Sequence, residues 1–410
     1  MKYTRRQLLL VAGALPVAQV APADASDVAD EPALPDKKSF AAMQGVYLNS
    51  GSQHPLSLAS LKAAQQYLDG RTMRSPQDRY RIDAADVLEK YARLVNADVD
   101  EVTFVQSTTT AEQMFLRALG FPEPGARIVT DTLHFFGSLP LYEEMARQGM
   151  KVTWVRERDG RIPIEDMLAA IVPGTRLVAL SLVSTINGFQ HDLAAICARA
   201  HEVGALVYAD IIHAVGAVPV DLHASGVDLA AGASYKWLMG EFGLGFLYVR
   251  KDVLPRLQRS NYGYYGMNKF QSHIYRYDPP GDSIVEYGFR EDATGAFALG
   301  THDHTTIAIL GESLDYLLRV GVANIQAHGQ SLLGPLRDEL PKRGFEVITP
   351  AESQTPLLTC AYENARQTIS PRMDEAGISI TVSRNSFRVS PSVFNDLEDV
   401  DRFLSALGKA

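Results

Sequence analysis

This 410-residue chain predicts an α/β fold with a mostly parallel central sheet and a smaller C-terminal α+β domain. Short apolar runs bounded by turn residues, segments of helical period between them, and a change of pattern beyond about Gly300 carry that prediction. The runs are Val102 to Val105, Arg127 to Thr130, Lys151 to Val155, Leu177 to Leu182, Ala205 to Asp210, Leu229 to Ser234 and Leu244 to Val249. Each is too short for a helix, and most are near-continuous in Val, Leu, Ile and Ala, as strands covered on both faces are. Between them, Ala111 to Leu119, Leu139 to Gln148, Ile164 to Ile171 and Leu193 to Val203 carry apolar residues three and four apart, which supplies crossover helices. Beyond Gly300 two long helices, Thr305 to Val320 and Ala323 to Arg343, precede short strands and a final helix near Leu397 to Leu407.

The chain begins with Thr4-Arg5-Arg6-Gln7 and an apolar stretch to about Val20, followed by small residues from Ala21 to Ala25. This predicts a twin-arginine export signal over 1–25, hence the export machinery as a partner and a periplasmic or secreted product, with a retained membrane anchor as the alternative. A linker and arm over 26–70, a large domain over 71–299 and a small domain over 300–410 complete the expected division. The net charge of −9 excludes a nucleic-acid partner. Two cysteines, Cys197 and Cys360, form no disulfide framework and read as buried free thiols.

In a parallel sheet, ligands bind where strands reach their carboxyl ends. Three candidate groups fall there. Val102 to Val105 runs into Gln106-Ser107-Thr108-Thr109-Thr110 before a helix, where N–H groups and hydroxyls could hold a phosphate or simply cap the helix. Asp210 closes its strand, where a carboxylate calls for a cation unless it too is a cap. Lys236 follows the next strand in Ala233-Ser234-Tyr235-Lys236-Trp237-Leu238. A lysine that forms a Schiff base and a carboxylate that pairs with a pyridinium nitrogen are the groups pyridoxal-phosphate chemistry needs.

The series Asp210-Ile211-Ile212-His213, Ser234-Tyr235-Lys236-Trp237, Gly243-Leu244-Gly245, Gly300-Thr301 and Phe387-Arg388-Val389-Ser390-Pro391, opened by Tyr47-Leu48-Asn49-Ser50-Gly51, resembles class V aminotransferase-like enzymes. These are fold-type I pyridoxal-phosphate proteins and include isopenicillin N epimerase-like proteins, selenocysteine lyases, cysteine desulfurases and kynureninases. The resemblance implies that Lys236 carries pyridoxal 5'-phosphate and acts as base at Cα. It implies that Asp210 keeps the ring nitrogen protonated, that His213 contacts the phenolate oxygen, and that His134 stacks on the ring, with Phe135 or Phe136 as alternatives. Thr108, Thr109 and Tyr235 would hold the phosphate, with Thr301 of a neighbouring subunit completing it in a homodimer. Ser234 would replace the hydroxyl that relatives carry at Ala233. Asn49, Asn187 and Arg388 would face an amino-acid-type substrate, Arg388 clamping its carboxylate with Arg384 as the nearby rival. His302-Asp303-His304 lacks a second cluster of ligands, so no metal is expected.

No cysteine occurs in Gly377 to Phe387, where desulfurases need a thiolate. The expected function is therefore an exported aminotransferase, with epimerisation, C–S β-elimination or an inert binding protein as the alternatives.

Overall fold

The computed structural model describes residues 33–72 and 82–410; the expected export signal lies outside them. The central sheet comprises β1 (Val102–Val105), β2 (Arg127–Asp131), β3 (Lys151–Val155), β4 (Thr175–Ser181), β5 (Leu206–Asp210), β6 (Leu229–Ala233) and β7 (Gly245–Val249). Their spatial order is β1-β7-β6-β5-β4-β2-β3. All neighbouring pairs are parallel except those made by β7, which runs antiparallel to β1 and β6. All seven expected strands are therefore present, with ends displaced by one or two residues.

The apolar runs are continuous because the sheet is buried on both faces. Val178 and Leu180 of β4 enter one core, while Leu177 and Ala179 enter the other. Helices Thr108–Ala118, Leu139–Arg147, Ile164–Ala170 and Leu193–Glu202 cover these faces as their spacing predicts.

After β7 the aromatic segment from Tyr262 leads into a hairpin, β8 (Met267–Ser272) with β9 (Val285–Phe289). Tyr262, Phe270, Tyr275 and Tyr287 on and around it are exposed.

A second sheet, β10 (Glu346–Val347), β11 (Leu358–Ala361), β12 (Thr381–Val382) and β13 (Ser386–Val389), has the order β10-β11-β13-β12 and its own core. The helices Val322–Lys342 and Leu397–Leu407 pack there, as expected. The division anticipated at residue 300 differs in two respects. Helix His304–Val320 buries Ile307, Leu310, Leu314 and Leu317 in the large core beside Val87 and Tyr91, so the second core begins after it. The arm contributes Val46 and Leu48 to the second core, where Val46–Tyr47 pairs with Ile378–Ser379.

Candidate active site

Asp131, Ser181 and Asp210 end their strands on one edge of the sheet, and the chain leaves β1 and β6 on that same edge toward Thr108 and Lys236. Parallel pairing sets Ser181 opposite Asp210 and Asp210 opposite Ala231. The Thr108 hydroxyl accepts the Ala233 N–H at 2.9 Å, pinning the first turn of helix Thr108–Ala118 to the end of β6. Ser107 caps that helix by accepting the Thr110 N–H, and Thr109 stands exposed at its start.

Lys236 is buried, with its Nζ 2.9 Å from His213 Nε2. Burial, helped by the charge of Arg388 and opposed by that of Asp210, pushes the amine down to about 7. A second contact fixes the proton between these two. The Trp237 indole can only donate, and its Nε1–H points at His213 Nδ1 at 3.5 Å. Burial also holds His213 well below its usual range, so the ring is neutral. With Nδ1 accepting, Nε2 carries the hydrogen and donates to the unprotonated form of Lys236, a form that a value of about 7 makes accessible near neutral pH. The chain approaches closely there: a Cβ on Gly216, whose φ is +85°, would lie 2.4 Å from the Trp237 carbonyl oxygen.

Asp210 is buried, with one carboxylate oxygen accepting the Ile212 N–H at 3.0 Å. Its other oxygen has no hydrogen bond among the described residues. Burial raises this acid to about 6 against the opposing pull of that N–H and of the His134 and Lys236 charges.

Arg388 on β13 is 7% exposed and neutralised by no carboxylate among the described residues. One guanidinium nitrogen donates to the carbonyl and hydroxyl of Thr185, both at 2.9 Å, and the other to Ser52 and Thr381 hydroxyls at 3.1 Å. Its Nε is buried without a partner. Burial brings the group down to about 10. Arg384, the rival, is exposed.

Several expected residues are occupied otherwise. The Ser234 hydroxyl donates to the Glu241 and Leu244 carbonyls at 2.9 and 2.8 Å, closing the turn after Lys236, so it is not turned toward a phosphate. The Asn187 amide donates to the Gly160 and Ile348 carbonyls and accepts the Phe189 N–H, which makes it a strut between segments instead of a substrate contact. Asn49 accepts from the Thr381 hydroxyl at 2.6 Å and so reaches Arg388 only through that threonine. Tyr235 stacks on Phe242 at 4.2 Å. Thr301 is exposed and lines a crevice with Gln106 and Thr110 of its own chain. His302 stacks on Tyr265, and Asp303 caps helix His304–Val320.

His134 is fully buried between Ser181 Oγ, 2.8 Å from Nδ1, and Glu112 Oε1, 3.2 Å from Nε2. Phe136, an alternative for the ring face, is 65% exposed. Glu112, Trp237, Ser52, Thr185 and Thr381 escaped the sequence reading. Glu112 alone left a signal: an acid on the apolar face of its helix, one turn from Thr108 and Phe115.

A buried lysine that sheds its proton near neutral pH, a buried carboxylate with an oxygen free for a cation, a helix N-terminus beside them and an unneutralised guanidinium define an α/β enzyme suited to an aldehyde cofactor. The comparisons agree. The chain belongs to the family described as Aminotransferase class-V, whose model matches residues 46–403. It is 29% identical over 301 residues to a probable cysteine desulfurase of Methanothermobacter thermautotrophicus, covering 70% of each chain. It is 29% identical over 345 residues to a kynureninase of Pseudomonas fluorescens, covering 79% of this chain and 78% of that one. Among solved structures, the cysteine desulfurase CsdA of Escherichia coli aligns with a TM-score of 0.78 at 22% identity, over 90% of this chain and 96% of that one. This is a pyridoxal-phosphate-dependent enzyme of the class V fold.

Proposed function

We propose that the chain is an aminotransferase acting at the Cα of an α-amino acid or an amino-acid-bearing metabolite. The arrangement of Lys236 carries this reading: a buried amine brought down to about 7, its neutral form bonded by the His213 Nε2–H, is suited to be the base that a Cα proton needs. Bound pyridoxal phosphate supplies the electron sink that makes that proton acidic. In this reading Lys236 holds the cofactor at rest and later moves the proton, while Asp210 pairs with the ring nitrogen through its free oxygen. The helix start at Thr108 and Thr109 accommodates the phosphate. Arg388 would take the substrate carboxylate by exchanging its bonds to the Ser52, Thr185 or Thr381 side chains for two parallel donors, and those residues hold the guanidinium in place until then.

Two features favour this reaction over its relatives. Epimerisation calls for a second base facing Lys236, and the imidazole expected over the cofactor ring, His134, has both nitrogens engaged. Sulfur transfer calls for a reactive thiolate, yet Cys197 and Cys360 are buried, and burial pushes both thiols up to about 12. Relatives include proteins named cysteine desulfurase, and the proposal parts from those names at the sulfur-transfer step. A relative of Bacillus subtilis, 22% identical over 354 residues, is named an uncharacterized aminotransferase. The proposal includes export through the Arg5-Arg6 signal and a homodimer, which the exposed aromatic hairpin supports.

The test is a single half-reaction with a panel of amino acids. The enzyme alone should release about one 2-oxo acid per active site. The amino group should then be recovered on an added second 2-oxo acid, and Lys236→Ala should abolish both. Continuous release of pyruvate and ammonia, with sulfide from cysteine or cysteine persulfide from cystine, would replace the proposal with C–S β-elimination. Full function in Lys236→Ala would leave a binding protein.

A further inference from the structure

Glu112 is 2% exposed in the middle of helix Thr108–Ala118, and no step proposed above uses it. Its carboxylate collects three side chains: His134 Nε2 at 3.2 Å, Ser138 Oγ at 2.6 Å and Tyr142 Oη at 2.5 Å. Burial works to neutralise the acid, but the bond and charge of His134, with the two hydroxyls, bring it below its ordinary value. On the far side of the same imidazole, Ser181 Oγ accepts the Phe135 N–H at 3.1 Å and keeps a lone pair for His134 Nδ1–H.

We propose that Glu112 is a positioning residue that holds His134 as an imidazolium, both N–H groups engaged, so that the ring packed beside Asp210 is cationic and fixed in orientation. The titratable groups around that ring are Glu112 and Tyr142 from the helical side and Asp131 and Asp210 from the strand ends. Three of these are carboxylates, and each favours the charged ring. Burial alone would strip the proton; the bond and charge of Glu112, together with the charges of Asp131 and Asp210, outweigh it, so His134 lies above its usual range. The Asp131 and Asp210 carboxylates act on the His134 ring through space only, and that of Asp131 also faces His191 at 3.3 Å.

The consequence is a charge pattern set by this chain's own side chains. An isolated carboxylate at Asp210 would confront the cofactor's nitrogen alone. With a cationic imidazole alongside, the negative charge at Asp210 is shared, so the ring nitrogen meets a moderated partner. The inference rests on the cofactor site and not on the reaction proposed for it, because the state of His134 is readable without turnover.

The experiment is a 15N-edited NMR titration of the His134 ring in the cofactor-loaded enzyme, compared with Glu112→Gln and Tyr142→Phe. In the unsubstituted protein both ring nitrogens should be protonated at pH 7. Glu112→Gln keeps the shape but removes the charge, and should lower the pH at which the ring loses its proton by about 1–3 units, the shift that an adjacent opposite charge produces. Tyr142→Phe removes a bond to the carboxylate without removing its charge, and should leave the imidazolium in place. A neutral His134 at pH 7 in the unsubstituted protein overturns the proposal, a reading that needs no variant to fold. An unchanged titration in Glu112→Gln overturns it equally, since a merely structural glutamate would not move that readout.

Discussion

Lys236 and Arg388 are buried cations of different kinds, and that difference makes each testable. Lys236 can shed its proton, and burial pushes it down to about 7. In cofactor-stripped protein, capture of an aldehyde by Lys236, trapped by borohydride reduction, should accelerate as pH passes through about 7 and then level off. A rate that keeps climbing toward 10.5, the ordinary lysine value, would mean that the amine is solvated. Arg388 keeps its charge even with burial bringing it down to about 10, and its use lies in planarity. Arg388→Lys retains a cation but loses the fork. With one charged hydrogen bond worth about 1.5–3 kcal/mol, KM for the amino acid should rise about tenfold to a hundredfold, with a smaller change in kcat. Steady-state kinetics decide, and an unchanged KM would remove Arg388 from the carboxylate site. These two residues and Asp210 were legible because each stands where a strand or motif makes its chemistry conspicuous. Glu112 was overlooked although it lies on the apolar face of its helix, because a single glutamate in a helix ordinarily faces water, and its role becomes visible only when His134, Ser138 and Tyr142 are seen to converge on it.

The elements that hold these groups are short, and their ends carry the weight. The turn from Ser234 to Leu244 places Lys236, and the Ser234 hydroxyl closes it by bonding two carbonyls within it. Ser234→Ala leaves those buried acceptors one donor short and should cost about 1–3 kcal/mol of stability, visible as a lower Tm in thermal unfolding. The affinity for pyridoxal phosphate should stay within about twofold, since a hydroxyl bonded inside the turn contributes no bond to a phosphate. A large loss of cofactor affinity with unchanged Tm would restore the role that family resemblance implies. Strands and long helices could be read from the sequence because two-sided burial and the 3.6-residue period leave strong patterns. The β8/β9 hairpin escaped because its alternation is broken by exposed aromatic residues, and Val46–Tyr47 because two residues carry no period. Asn187 misled for a related reason: an amide near a substrate motif and an amide bridging Gly160 to Ile348 look identical in sequence.

At the scale of the whole molecule, the site joins two cores that the chain builds separately. The Arg388 cage draws on Ser52 from the arm, Thr185 after β4, and Thr381 and Arg388 itself from the second sheet, so it forms only when these parts assemble. What gathers there opposes folding until ligands arrive: an amine, a guanidinium and a carboxylate, all desolvated. Lys236 shows the sign of this effect. Its folded-state value, about 7, lies below the ordinary 10.5 of the unfolded chain. Below pH 7 both states are protonated and the fold bears the full penalty of a buried cation, whereas above 10.5 both are neutral and the penalty vanishes. Between those limits the unfolded chain binds more protons, so stability from this group rises with pH. Cofactor-stripped Lys236→Met should therefore be more stable than the unsubstituted protein at pH 6.5, by on the order of a few kcal/mol. That advantage should shrink steadily as pH climbs from 7 toward 10, and urea unfolding at a series of pH values measures both quantities. A Lys236→Met variant that is less stable at pH 6.5, or an advantage that grows with pH, would mean that Lys236 is charged and well paired in the fold, and with it the neutral base on which the proposed reaction rests would be lost.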